Sequence, residues 1–251
     1  MSHIERTVDH VIILTGIDEQ VAVSEALEHA GVPMRDDTVE ASLGLRSRLH
    51  PIRGGGFLEI ACELSPGSFA HGNPFDLTPR VASVAYTTDD GATDLQRWRG
   101  KPGAERAFAQ AGSWRRLDGT MGYFVAVHPA PPAGRVFFGL QERRLFPLPY
   151  LDEAGTAPAV RRVEVSGIDA EHWRYEHVEL FGLPDAGDGV RAGETEVFFR
   201  TTDADPEIVL TLAVPHPEVL VPMRSGAIRF VPADPDQPDR TNRSTTVGTR
   251  T

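Results

Sequence analysis

Thr15-Gly16-Ile17-Asp18 heads one stretch of this chain, and Ser166-Gly167-Ile168-Asp169 heads another. The first runs on to Gly31-Val32-Pro33 and the second to Gly182-Leu183-Pro184, with equal spacing from Asp to Gly in both. Such self-similarity marks a repeated supersecondary unit. Each copy reads as strand, turn, capped helix and helix stop. Asp18 and Asp169 suit an N-cap, where a carboxylate accepts from unpaired backbone N–H groups. Gly31 and Gly182 suit the left-handed position that ends a helix, and the prolines two residues on forbid its continuation. Between the caps, Ala22, Ala26 and Ala30 with Val23 and Leu27 make one apolar face. Trp173, His177 and Leu180 with Phe181 make a comparable one.

A third copy lies between these two. Val81 to Tyr86 reads as a strand, followed by Thr87-Thr88-Asp89-Asp90 and a helical stretch reaching Gly112, broken at Lys101-Pro102-Gly103. Ala104, Ala107, Phe108 and Ala111 supply its face. Short strands follow each helix. They are expected near Met34–Glu40, Leu45–His50 and Phe57–Leu64 in the first copy, with Gly54-Gly55-Gly56 as the last turn. In the second they are expected near Ser113–Leu117, Gly122–His128 and Arg135–Glu142, with Pro129–Gly134 as a loop. In the third they are expected near Glu196–Thr201, Ile208–Val214 and Ala227–Val231, with Val190–Ala192 as an alternative second strand. The pattern predicts an α+β fold of repeated β-α-β-β-β modules forming curved mixed sheets with a cleft, helices on the outer face. Module one spans 1–64, module two 81–147 and module three 159–232. Linkers fill 65–80 and 148–158, and 233–251, poor in anything to bury, is expected to be a disordered tail.

Composition excludes several classes. Among 251 residues the formal charge is −11, which argues against nucleic acid and against an anionic membrane surface as partners. The first apolar run, Val11 to Leu14, is too short for a signal sequence, and no stretch approaches the length of a membrane span. A cytoplasmic location is expected. Cys62, the single cysteine, fits a reducing compartment and sits in the apolar run Phe57-Leu58-Glu59-Ile60-Ala61-Cys62, as a structural thiol would. Gly54-Gly55-Gly56 precedes a strand and lacks a following Lys and Ser/Thr, so it is not a phosphate loop. The sequence carries no Gly-x-Ser-x-Gly elbow, no Cys/His zinc spacing and no dinucleotide fingerprint.

Three features together resemble a known family: an opening strand with Asp9-His10-Val11, a short capped helix ending at Gly31, and a module closing with Gly56-Phe57-Leu58-Glu59-Ile60. Tyr86-Thr87-Thr88-Asp89-Asp90 and Phe146-Pro147-Leu148-Pro149-Tyr150 add to the likeness. The chain resembles the glyoxalase-like branch of the vicinal oxygen chelate (glyoxalase/bleomycin resistance/dioxygenase) superfamily over most of residues 7–231. The resemblance implies a cleft between paired modules, with His and Glu side chains from the first and fourth strands of each module holding a divalent metal (Zn, Mn, Fe or Ni). It implies a small oxygen-rich organic substrate and isomerase- or lyase-type chemistry, or a metal-free binding or sequestering protein of the same fold.

His10 matches the family's first-strand ligand position and Glu59 its fourth-strand position. The repeat places Arg161 opposite His10, and Leu210, Thr211 or Arg229 opposite Glu59, in module three; in module two the equivalents fall near Ala82 and Phe138. None of these is a normal ligand, so Gln141, Glu142 or His128 would have to complete a set. A symmetric dimer joining two copies of module one would also do so, with two His10 and two Glu59. Three readings stand: His10 and Glu59 are metal ligands; they are a metal-free acid/base pair; or they are structural. An ionised Glu within Phe-Leu-Glu-Ile needs a partner or a cleft. Arg46, Arg48 and His50 alternate along one strand and share a face. They would form an anion pocket if that face lined the cleft, and a solvent-facing side if it did not. Tyr123 and Trp114 are candidates for a pocket wall or simply core.

Overall fold

In the computed structural model, the described residues are 5–40, 44–68, 80–130, 136–145, 148, 157–214, 219–222 and 227–232. The expected tail, most of both linkers, most of the 129–134 loop and all but Leu148 of the 146–150 motif lie outside them.

Ten elements precede residue 146. β1 (Val8–Leu14), α1 (Ile17–His29), β2 (Asp36–Glu40), β3 (Leu45–Ile52) and β4 (Gly56–Glu63) form one β-α-β-β-β unit. β5 (Arg80–Thr87), α2 (Gly91–Trp98), β6 (Phe108–Arg116), β7 (Met121–His128) and β8 (Phe137–Leu145) form the next. In both, the last strand runs parallel to the first and the middle two follow antiparallel. The two units join by antiparallel seams, β1 on β5 and β2 on β6, and so close a barrel in the order β1-β4-β3-β2-β6-β7-β8-β5.

The remaining strands are β9 (Ala159–Gly167), β10 (Gly189–Ala192), β11 (Thr195–Thr201), β12 (Glu207–Val214), β13 (Val219–Pro222) and β14 (Ala227–Pro232). After β9 comes α3 (Ala170–Tyr175), continued by a π-helical turn over Glu176–Leu180. The sheet order is β10-β11-β9-β12-β14-β13. Its centre repeats the barrel: β9 and β12 are antiparallel like β1 and β5, and β11 and β14 lie parallel outside them like β4 and β8. Residues 159–232 thus hold two reduced units, and Val190–Ala192 is a strand of the first.

Two expectations need correction. Phe108–Arg116 is a strand, and α2 ends at Trp98. The Ala104-Ala107-Phe108-Ala111 spacing fits a helix, but Gly100 and Gly103 take left-handed φ of 77° and 81°. Beyond them the chain pairs with β7 from Phe108 to Arg115. The N-cap of α1 is Gly16, not Asp18, with the Glu19 carboxylate folded back 3.2 Å onto the Gly16 N–H. Gly31 and Gly182 are left-handed as expected, at φ 86° and 71°.

One continuous core joins barrel and sheet: Val84 and Tyr86 of β5 and Phe138 of β8 meet Val163, Val165, Leu210 and Leu212 of β9 and β12, and Trp173, Leu180 and Phe181 of the helical segment. The last carbonyls of a helix lack intrahelical partners, and here the barrel supplies them. Lys101 Nζ donates to Glu179 O at 2.5 Å, Trp98 Nε1 to Leu180 O at 2.6 Å and Arg6 Nε to Phe181 O at 2.5 Å. Arg6 also pairs with Asp94 of α2 at 2.7 Å, the two side chains being 1% and 2% exposed. At the same interface His177 donates from Nδ1 to Trp173 O (2.6 Å) and accepts at Nε2 from the Tyr86 hydroxyl (2.9 Å).

Removing Arg6 leaves a buried carboxylate short of its main partner and a carbonyl without a donor. Arg6→Ala should destabilise by about 3–5 kcal/mol in urea unfolding. Burial pushes His177 down to about 3. The unfolded chain takes up that proton near pH 6.5, so the stability this residue contributes is complete above pH 6.5 and is lost as pH falls toward 3. Unfolding free energies measured from pH 7.5 to 4 should therefore fall less steeply in His177→Gln than in the parent.

Candidate functional site

Alternation along the barrel strands sends Ser47 and Leu49, Phe57 and Glu59, and His10 and Ile12 to the inside. Leu49, Phe57 and Trp114 meet there, as do Leu14, Ala61 and Ala82. The interior is not packed solid: Ile12, Glu59, Phe124, Ala126 and Phe137 are each partly exposed.

The site is built around a β-bulge. The β1–β5 register shifts between Val8 and His10, and at a bulge neighbouring side chains no longer alternate strictly. Asp9, wholly buried, thereby accepts from Nδ1 of the adjacent His10 at 2.7 Å. Its second oxygen pairs with Arg143 Nε at 2.7 Å, and Arg143 also donates to Gly55 O at 2.8 Å. Gly56 permits the close passage of these chains, since a Cβ there would lie 2.7 Å from Asp9 O and 2.8 Å from Val8 O. The His10 ring stacks on Phe57 with centroids 5.2 Å apart and planes within 9°. A carboxylate can only accept here, so Nδ1 carries the hydrogen and the Nε2 lone pair is left for another partner.

Four strands line up a row across the barrel wall: Phe57 beside His10, His10 beside Ala85, Ala85 beside Gly139. Gly139 has no side chain because His128 occupies the space; a Cβ there would stand 2.7 Å from His128 Nδ1. His128 stacks on Phe108 (5.3 Å) and packs on Phe137 (6.1 Å). Its Nδ1 donates to Phe138 O at 3.3 Å, which leaves Nε2 as an acceptor like that of His10. Burial, with the charge of His10 as a lesser cause, lowers its pKa.

Two residues beyond the row stand Glu59 on β4 and Gln141 on β8. Glu59, partly buried, accepts from Ser47 Oγ at 2.6 Å; Gln141 is 6% exposed. Taken about the His10–Ala85 pair, the repeat makes Ala85 the counterpart of His10 and Gln141 that of Glu59. Ala82 and Phe138 are not those counterparts: the register runs three residues further on, and Phe138 faces the core shared with the second sheet.

The other sequence candidates are not brought to this place. Arg46, Arg48 and His50 do share a face, but it is the one beneath α1. Arg46 donates to Gln20 Oε1 at 2.7 Å, Arg48 lies 3.8 Å from Asp37, and His50 is buried between Ser24 Oγ and Val32 O, both at 2.9 Å. Glu142 likewise turns outward, accepting from Gly91 N at the start of α2. Tyr123 sits at a second bulge with 46% of its surface exposed. Sequence reading missed Asp9 and Arg143, whose partnership spans most of the barrel sequence, and named His128 only as one of three residues that would complete a ligand set. The one available signal was an Asp directly before the candidate histidine.

The donor set does not fit a resident divalent metal. Among the described residues no group of three or more His, Cys, Asp or Glu side chains is placed to hold one. The positions that would add donors from the second unit are Ala85, Gly139 and the neutral amide Gln141, and protein metal sites ordinarily use three or four stronger ligands. The second sheet also carries a groove of about 760 Å³, lined by Arg162, Glu164, Arg174 and Glu207 among others. Its charges pair locally, Arg162 with Glu164 at 3.1 Å and Arg174 with Asp185 at 2.7 Å.

Comparison with solved structures agrees with the α+β fold of repeated β-α-β-β-β modules. A hypothetical protein from Staphylococcus aureus superposes with a TM-score of 0.65 at 10% identity, over 90% of this chain and 99% of that one. A variant of 4-hydroxymandelate synthase from Streptomyces coelicolor superposes with a TM-score of 0.55 at 11% identity, over 90% and 92%. The likeness is one of fold. No family model matches the sequence, and no curated protein matches it. Among the described residues no helix is long and apolar enough to cross a membrane.

The hydrogen-bond partners fix one tautomer for both interior histidines. Nitrogen-15 NMR at pH 8.5 should show Nδ1 protonated and Nε2 bare in His10 and His128 alike. In Asp9→Asn the His10 signal should shift toward a mixture of tautomers while His128 stays as it was.

Proposed function

We propose that the barrel interior binds a small oxygen-bearing organic molecule and that His10 takes a proton from it without a metal. The Arg143–Asp9–His10 relay carries this reading. A buried carboxylate behind an imidazole holds the ring in one orientation and stabilises the imidazolium that forms when Nε2 accepts a proton, the role of the acid in serine-hydrolase triads. Arg143 holds Asp9 in place. Phe57 holds the ring plane. The Gln141 amide is a donor for the oxygen on which charge develops, and Glu59, held by Ser47, orients a substrate hydroxyl.

A second reading, binding without turnover, has one observation in its favour. Beside the acceptors His10, His128 and Glu59 the donors at hand are neutral ones, the Gln141 amide and the Ser83 hydroxyl, and catalysed enolisation rests on donors placed where charge develops.

Deuterium exchange at the α-carbon distinguishes the two. A panel of acetoin, dihydroxyacetone, 2-butanone and pyruvate, followed by proton NMR in D2O, should include at least one compound whose α-protons exchange faster with protein. His10→Gln should remove about 10²–10⁴-fold of that acceleration, and Asp9→Asn most of it. Line broadening of a compound with no acceleration in the parent would support binding alone and remove His10 as a base.

A further inference from the structure

The second sheet has one face in the core and one that is open. Ile208, Leu210 and Leu212 of β12 and Ile228 and Phe230 of β14 turn into the core shared with the barrel. Alternation therefore puts Val209, Thr211 and Ala213, with Ala227, Arg229 and Val231, on the other face. The register sets Thr211 directly between Arg162 of β9 and Arg229 of β14. Across five strands the row reads Arg191, Glu196, Arg162, Thr211 and Arg229.

The carboxylates near that row are already engaged. Glu196 accepts from Arg191 at 3.3 Å and lies 3.9 Å from Arg162, and Glu164 accepts from Arg162 at 3.1 Å. Elsewhere in this half Arg161 lies 3.9 Å from Glu194 and Arg174 2.7 Å from Asp185. Arg229 differs from all of these. Among the described residues neither its guanidinium nor the Thr211 hydroxyl has a hydrogen-bond or ionic partner, and both residues are half-buried.

The surroundings of this pair are apolar. Val209 stands opposite Ala227 two residues before it, and Ala213 opposite Val231 two residues after it. At ~3.3 Å per residue the five positions make a strip about 13 Å long with the polar pair at its middle. Val209 and Arg162 also line the groove of about 760 Å³ on this sheet. A half-buried guanidinium among methyl groups is short of water and gains from a partner that brings its own acceptors. Its planar fork matches a carboxylate with two parallel hydrogen bonds. An apolar strip on both sides suits a ligand whose charge is confined to one end.

We propose that this strip is a second binding site, apart from the barrel interior, for a small monocarboxylate with an apolar body. The carboxylate pairs with Arg229 in bidentate fashion and accepts from the Thr211 hydroxyl, and the body lies along Val209 and Ala227. The site binds and does no chemistry. It goes beyond the reading of the barrel interior and does not depend on His10.

Isothermal titration of the intact protein with benzoate and hexanoate, beside their neutral amides, tests the proposal. At least one carboxylate should bind at least tenfold tighter than its amide, the worth of a charge-assisted hydrogen bond. Inorganic phosphate at matched ionic strength should not displace it. Arg229→Gln should lower affinity at least tenfold, Arg229→Lys by less, since it keeps the charge and loses the fork, and Thr211→Val a few-fold. Arg200 is an exposed cation on the same face, and Arg200→Ala should leave binding unchanged. Should Arg229→Gln fail to fold, as judged by circular dichroism, the Lys and Thr211→Val variants carry the comparison. Carboxylates that do not bind, amides that bind as well, or displacement by phosphate would each overturn the proposal. So would parent-like affinity in the Arg229 variants, which would put the carboxylate elsewhere, or a loss in Arg200→Ala equal to that in Arg229→Gln, which would mean a diffuse field of charge and no site.

Discussion

A carboxylate with no contact with solvent is the constraint on which the first barrel and its interior turn. Asp9 is wholly buried on β1, and an ionised group there would cost several kcal/mol without compensation. It has two partners of different kinds: a guanidinium from β8, reached past β5, and the imidazole of the next residue. Each binds one oxygen of the same carboxylate, so the placement of β8 relative to β1 and the orientation of His10 are settled together. The bulge that brings Asp9 and His10 into contact and the glycine at 56 that lets β4 pass within van der Waals reach of the Asp9 and Val8 carbonyls serve the same point. A change at any of these positions acts on fold and chemistry at once.

The same plan is executed twice along the chain with different results. In both halves two first strands pair antiparallel and two last strands lie parallel outside them. The first half has β2 and β6 to meet on the far side, where Thr38 and Val39 pair with Arg116 and Arg115, and the sheet closes. Among the described residues the second half has no counterparts of those strands and ends in β10 and β13 as edges. Its back is covered by the barrel: the core through Tyr86, Phe138 and Leu210 and the three carbonyls at Glu179, Leu180 and Phe181 fasten it there. The open sheet thereby buries the outer face of β5 and stiffens the seam strand that carries Ala85 beside His10. It contributes to the site through support and not through contact.

How much of this the sequence reveals depends on the range of the interaction concerned. The repeat was legible because Gly31 and Gly182 answer a local demand, a left-handed residue after a helix, and the structure places both there. The alternation that puts Arg46, Arg48 and His50 on one side of β3 was legible too. Which side that is depends on Gln20 and Ser24 reaching down from α1, a tertiary fact. The stretch up to Gly112 was read as helix because its small and apolar residues fall at helical spacing. The eight-residue ladder with β7, and a Phe124 ring packed where a Gly112 side chain would be, decide otherwise. Arg143 could not be tied to Asp9 from sequence, since nothing local to either residue refers to the other.

The repeat also explains why one half of the expected ligand set is missing. The ligand set that the resemblance implies draws on both units, and here the second unit presents Ala85 and Gly139 on the row that holds His10. Those two residues do more than remove donors. The absent side chain of Gly139 is the space into which His128 turns, from a strand that belongs to neither the first nor the fourth position of its unit. A bulkier or ligating residue at 139 would expel that ring. The second unit thus presents Ala85 and Gly139 on β5 and β8 and a histidine ring leaning in from β7. Asp9 and Arg143 belong to the same arrangement: the carboxylate behind the imidazole, itself held by the guanidinium, keeps the His10 ring in one orientation.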